Sequence, residues 1–288
     1  MQKIVKANRL LASDIKKKNN MIRNIPHYLF KIDFIIVLLL CFISFWVTAN
    51  VDDKDKVLPE YLYTPAANPM IEVSKTLEQA KQNNKLALIV LGAQWCHDSR
   101  GLATNFSKPA LHQVLNERFV SLFIDVGNYE DRRDITQRFG YPIYFATPTV
   151  LVVDPETELL MNEDTLTIWQ SAYSVDFEKY MSYFADVGKN EVSTNRIARL
   201  NNNKGLKIFT EQQTERLLVA YARLAPLMAL EDTGELEDKS EFYALWNEVR
   251  DFRSQLQKDL HRLRNQVIET PGVSLDLPSY DNFSWENK

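Results

Sequence analysis

The spacing of apolar and polar residues divides the chain into stretches of different period. From Leu86 to Leu91 the residues are apolar without interruption, bounded by Gly92 and followed by a stretch of helical period. So short a run is not a free-standing helix, and it predicts a strand covered on both faces that feeds a helix. Phe119 to Val126 predicts a second strand and Val150 to Val153 a third. Glu158 to Met161 predicts a hairpin arm, joined to the third strand through the turn residues Asp154-Pro155-Glu156-Thr157. Helical spacing appears from Ser74 to Asn83 with Ser74 or Thr76 as cap, and from Asp131 to Phe139 with Gly140 just beyond. It returns from Val175 to Val187, where Phe177, Tyr180, Met181 and Phe184 share a face. Strands alternating with helices in this way predict an α/β fold.

Beyond the polar stretch Asn190 to Gly205 the pattern is helical throughout. Thr210 and Gln213 form a capping box for a helix to about Leu230, which Pro226 is expected to end or kink. From Ser240 to Ile268, residues Phe242, Leu245, Val249, Phe252, Leu256, Leu260, Leu263 and Val267 recur at three and four, a heptad-like seam. Residues 207–268 are therefore read as a helical hairpin. Its apolar face has two open uses: packing on itself or on the preceding domain, or serving as a homodimer or partner-docking face. Pro271 to Lys288 has the composition of a mobile tail.

At the other end, Phe34 to Ala49 is 16 residues without a charge, somewhat under the ~20 of a full span, with Tyr28 to Phe30 and Ile32 as partial contributors. Basic residues precede it and Asp52, Asp53 and Asp55 follow. Residues 1–33 are thus expected in the cytoplasm, 34–49 as a single-pass transmembrane anchor or signal segment in the cytoplasmic membrane, and 50–70 as a linker to a domain outside, periplasmic if bacterial. Val47-Thr48-Ala49 also resembles a signal-peptidase site, so release after cleavage near Ala49 is the second possibility, and a start at Met21 would make it an ordinary secretory signal. The net charge of −4 hides an asymmetry. Residues 1–33 hold eight Lys or Arg against Asp14 and Asp33, leaving 26 basic and 36 acidic residues for the rest. So acidic a remainder excludes nucleic acid as its partner.

The chemistry converges where the first strand meets its helix, at Trp95-Cys96-His97-Asp98-Ser99. Unpaired backbone N–H groups and the positive end of the helix dipole favour a thiolate there. The chain's other cysteine, Cys41, lies inside the apolar N-terminal segment, so Cys96 is the sole thiol expected in the folded part. Consecutive side chains on a helix point about 100° apart, so Cys96, His97 and Asp98 do not converge on a metal ion. His112 and His261 have no acidic or cysteine companion at ligand spacing and read as surface or packing residues.

Residues 71–188 resemble the thioredoxin superfamily through the buried strand, Trp95-Cys96, Ser99 three residues on, and Thr147-Pro148-Thr149 ahead of the next strand. The resemblance implies a thioredoxin-like three-layer α/β/α sandwich with, here, a C-terminal α-helical extension. It implies a cis peptide at Pro148 lying against Cys96, no cofactor and no metal, and protein thiols or disulfides, or a low-molecular-weight thiol, as partners. Cys96, Ser99 and Pro148 take the catalytic positions, and Trp95, His97, Asp98 and Thr147 the substrate-facing ones. Ser99 replaces the second, resolving cysteine of the dithiol members, and Val90 replaces the buried aspartate that assists it. From the residues themselves two readings of Ser99 stay open: a hydrogen-bond donor to the Cys96 sulfur, or a helix residue of suitable size. A single thiolate forms a mixed disulfide but needs a second thiol for release. Two functions stay open: thiol-disulfide exchange at Cys96, or a non-catalytic interaction module whose helices bind a partner.

Overall fold

The computed structural model describes residues 56–189 and 194–286. The expected membrane segment 34–49 lies outside them, and among the described residues no helix is long and apolar enough to cross a membrane.

The run Leu86–Gly92 is β1, the middle strand of a sheet ordered β2-β1-β3. Strand β2 (Phe119–Asp125) is parallel to it, with Leu86 opposite Phe119, and β3 (Thr149–Val153) is antiparallel, with Ala87 opposite Val153. Alternate residues of β1 enter different cores: Ala87, Ile89 and Leu91 face one side, Leu88 and Val90 the other. That double coverage is why the run is unbroken rather than alternating.

Helix α1 (Pro69–Gln82) covers the first face with Val73, Leu77 and Ala80. It starts earlier than its apolar spacing suggests because the Asn68 side chain accepts from the Ile71 N–H at 3.2 Å and Pro69 occupies the first turn. The second face carries α2 (His97–Phe106), α3 (Pro109–Arg118) and α5 (Phe177–Asp186), with Leu102, Phe106, Leu111, Leu115, Tyr180 and Phe184 in one core. The short helix α4 (Arg133–Arg138) follows β2. Three layers, α/β/α, result.

Two stretches differ from the sequence pattern. The expected hairpin arm keeps only one bridge, Leu160 to Val153. Beyond it the Asn162 side chain substitutes for backbone pairing, accepting from the Val152 N–H and donating to the Val150 carbonyl, and the chain turns into a 3-10 segment, Glu163–Ser174. Part of the expected linker belongs to the domain: Tyr61 and Tyr63 are buried against Phe123, and Thr64 bridges to Ile124 at the sheet edge.

After α6 (Thr194–Asn202) come two long helices, α7 (Lys204–Thr233) and α8 (Ser240–Glu269). The cap of α7 is Asn203, whose side chain accepts from the Leu206 N–H at 2.9 Å. Thr210 instead lies inside the helix, with its hydroxyl donating to the Leu206 carbonyl. The helix also runs through Pro226 to Gly234, because burial of Leu224 and Met228 around the proline outweighs one lost backbone bond. The α8 seam residues Val249, Leu256, Leu260, Leu263 and Val267 are buried in one core with Leu217, Tyr221 and Leu224 of α7, so the seam packs within the chain. The C-terminal stretch is docked rather than loose: Phe283 is 4% exposed and packs edge-to-face on Phe252, while Glu286 receives two hydrogen bonds from Arg216.

Candidate functional site

Cys96 sits where β1 hands over to α2. Its N–H donates to the Ala93 carbonyl, and its own carbonyl accepts from the Arg100 N–H at 3.1 Å, which opens the helix with Cys96 as N-cap. The side chain is half-buried and the only cysteine among the described residues. Its thiol donates to the Thr147 carbonyl at 3.1 Å. The Thr147–Pro148 peptide bond is cis, and the Thr149 hydroxyl fastens the turn to the Ala146 carbonyl at 2.7 Å. The chain thus brings together Cys96, Thr147 and Pro148 from distant parts of the sequence.

Ser99 does not adopt the pairing with sulfur. It is fully buried, and its hydroxyl accepts from the Ala93 N–H at 3.4 Å, toward the end of β1. Tyr63 closes this corner by donating to the Ser99 carbonyl at 3.2 Å. The crowding requires Gly92, where a Cβ would fall 2.3 Å from the Tyr63 ring and 2.8 Å from the Ser99 hydroxyl. Burial pushes the Tyr63 hydroxyl well up, the nearby Ser99 side-chain hydroxyl opposing and the Cys96 charge adding to it.

The neighbours of Cys96 point apart. Asp98 accepts from the backbone N–H of Tyr173 at 3.0 Å, tying α2 to the 3-10 segment, and His97 lies against the Tyr173 ring at a centroid distance of 3.7 Å. Tyr173 itself is 61% exposed. A cleft of about 450 Å³ runs along this side of α2 between His97, Arg100, Lys108 and Tyr173. Among the described residues no three His, Cys, Asp or Glu side chains are grouped to hold a metal ion. His112 packs edge-on to Tyr61 and hydrogen-bonds its hydroxyl, a packing role.

Trp95 turns to the opposite flank, where its indole N–H donates to the Gly127 carbonyl at 2.8 Å and its ring meets Tyr129. Helix α8 reaches the same place through Trp246 and Arg253. Tyr63, Tyr129, Tyr173, Trp246 and Arg253 carry no local signature in the sequence, since each arrives through a long-range contact.

Residues 68–155 match the model of a family described as thioredoxin-like. No curated protein matches the chain. Among solved structures, the disulphide isomerase from Xylella fastidiosa Temecula1 is similar at 27% identity and a TM-score of 0.40, over 44% of this chain and 95% of that one. The three-stranded sheet with helices on both faces and the family match make residues 68–155 part of a thioredoxin-like domain, and the chain continues from it into a C-terminal helical region.

Proposed function

We propose that the chain is a thiol-disulfide exchange protein acting through the single thiol of Cys96, held outside the cytoplasmic membrane by residues 34–49. The observation that carries the reading is the placement of Cys96: half-exposed, at the start of α2, its sulfur 3.1 Å from the carbonyl preceding the cis proline. Cys96 is the N-cap of α2, so its sulfur lies at the end of the helix where the first-turn N–H groups are unpaired. The thiolate attacks a substrate disulfide, a bond forms between Cys96 and one substrate sulfur, and the other sulfur leaves as a thiolate that takes up a proton. A second thiol, from the substrate or a low-molecular-weight thiol, then attacks the mixed disulfide and restores Cys96. When substrate supplies that thiol, bonds are exchanged with no net oxidation. The exposed Tyr173 and the cleft along α2, lined by His97 and Arg100, leave room for a polypeptide on the helix that starts at Cys96.

Incubation of the full chain with a disulfide-containing peptide should give a mixed disulfide at Cys96 that added glutathione releases. Cys96→Ala should give none while keeping its circular dichroism, because a small side chain at a half-buried N-cap costs little packing. A wild-type protein that forms no adduct would overturn the proposal. For the membrane arrangement, a reporter active only in the cytoplasm, fused after Lys288, should be silent, and activity from it would refute that placement. One observation favours the second reading, a non-catalytic interaction module: the thiol is already engaged by the Thr147 carbonyl. The same adduct experiment separates the two.

A further inference from the structure

The side of α8 facing the thioredoxin-like domain carries long polar and aromatic side chains beside the apolar seam. Trp246, Arg253, Gln257 and Arg264 follow one another at intervals of seven, four and seven residues, one stripe of a helix. Gln257 donates to the Tyr141 hydroxyl at 2.9 Å, and Arg264 pairs with Glu163. Arg253 donates to the Tyr129 hydroxyl at 2.6 Å, with its guanidinium 5.5 Å from the centre of the Tyr129 ring and 5.9 Å from that of Trp246.

Tyr129 is an unusual residue to hold in this way. It is a buried aromatic at a φ of 63°, a left-handed conformation that bulky residues avoid and that persists only when surroundings over-determine it. Those surroundings are Tyr221 of α7, stacked at 4.4 Å and 13°, Trp246 of α8, and the Arg253 hydrogen bond. On its remaining side Tyr129 packs at 5.2 Å against Trp95, the residue next to the reactive cysteine, and Trp95 is itself bonded to Gly127 in the same loop. Tyr221 also donates to the Phe145 carbonyl at 3.1 Å, two residues before Thr147. The helical pair therefore grips both loops that frame the thiol.

We propose that Arg253 is a positioning residue of the Cys96 site, fixing Trp95 through Tyr129, so that the C-terminal helices are a working part of the site. The inference rests on the exchange function proposed above. A planar guanidinium fork reaches the Tyr129 hydroxyl while lying against two rings, which a lysine ammonium does not reproduce.

The test uses the full chain in detergent with four variants: Arg253→Met, Arg253→Lys, Tyr129→Phe and Leu263→Ala. Arg253→Met should slow mixed-disulfide formation by about tenfold, a fraction of the roughly hundredfold that a 1 Å misplacement at a reacting centre can cost. Tyr129→Phe, which keeps the ring and loses the hydroxyl, should slow it comparably, Arg253→Lys should recover only part of the rate, and near-ultraviolet circular dichroism should report the altered Trp95 environment. Leu263→Ala, a buried seam residue away from the loops, should lower the melting temperature with the rate unchanged. Wild-type rates in both Arg253→Met and Tyr129→Phe, or an equal slowing in Leu263→Ala, would overturn the proposal. If the wild type itself does not exchange, the function fails first. The rate of Cys96 alkylation by iodoacetamide then still reads the positioning claim: unchanged rates across Arg253→Met and Tyr129→Phe overturn it and altered rates support it.

Discussion

Trp95 and Trp246 meet nearly edge-on, with ring centroids 6.3 Å apart and planes at 81°. One belongs to the segment bearing the reactive cysteine and the other to α8, more than a hundred residues later, so the helical extension and the candidate site share a wall. Trp246→Ala should cost about 2 kcal/mol, below the range for a fully buried tryptophan because Trp246 stays half-buried. Thermal unfolding should shift down by several degrees and tryptophan emission should move to the red. An unchanged melting temperature would show that α8 bears no load on the domain.

Leu256→Asp places a carboxylate at a fully buried position in the middle of the α8 seam. An uncompensated buried charge costs several kcal/mol. The expected result is loss of the cooperative melting transition, or separation of α7 from α8 with a larger hydrodynamic size by light scattering. Unchanged melting and size would mean the seam faces solvent.

The docked C-terminus should respond to acid. Arg216 holds the Glu286 carboxyl below its ordinary 4.5, through its side-chain hydrogen bond first, with burial opposing and the Phe283 N–H assisting. A depressed carboxyl pKa contributes stability that is complete above the unfolded-state value near 4.5 and is lost as pH falls through the folded value. The two side chains are 18% and 28% exposed, so the contribution is about 1 kcal/mol. Limited proteolysis should leave residues after Pro271 intact at pH 7 and cut them once the pH falls below the ordinary carboxyl value of 4.5, with Trp285 fluorescence changing in parallel. Glu286→Gln should remove that pH dependence, and cleavage at the same pH in both proteins would refute the role of the pair.

What was legible in the sequence had a local pattern. The unbroken run of β1 announced burial on both faces, and Trp95-Cys96 with Thr147-Pro148 announced the pair of loops that the sheet brings together. What was not legible depends on distant partners. Tyr63 lies in a proline-flanked stretch that reads as a linker, and its meaning comes only from Ser99 and Gly92. Asn162 looks like a loop residue until its amide completes the β3 ladder. Arg253 and Gln257 look solvated on a helical wheel because long polar side chains mark water and a polar interface alike. Their partners, Tyr129 and Tyr141, decide between the two. Pro226 ends a helix by local rules, and tertiary burial of Leu224 and Met228 overrules it.

Ser99→Cys addresses the absent resolving thiol. Residues three apart on the first turn of a helix lie on one face, within reach of a disulfide after modest adjustment. Ser99 is fully buried and its hydroxyl points at Ala93, so the introduced sulfur must rotate away from the end of β1 to meet Cys96, against the packing of Tyr63. The variant should therefore form the Cys96 disulfide on mild oxidation, should expel a mixed-disulfide partner without added thiol, and should reduce insulin faster than the wild type. The gain should be partial, because the buried residue on β1 is Val90, which accepts no proton. Thiol counting after oxidation and an insulin turbidity assay check both halves. Two free thiols remaining after oxidation would show that residues 96 and 99 do not approach as the fold of α2 requires, and would take with them the reading of Cys96 as an exchange thiol of this geometry.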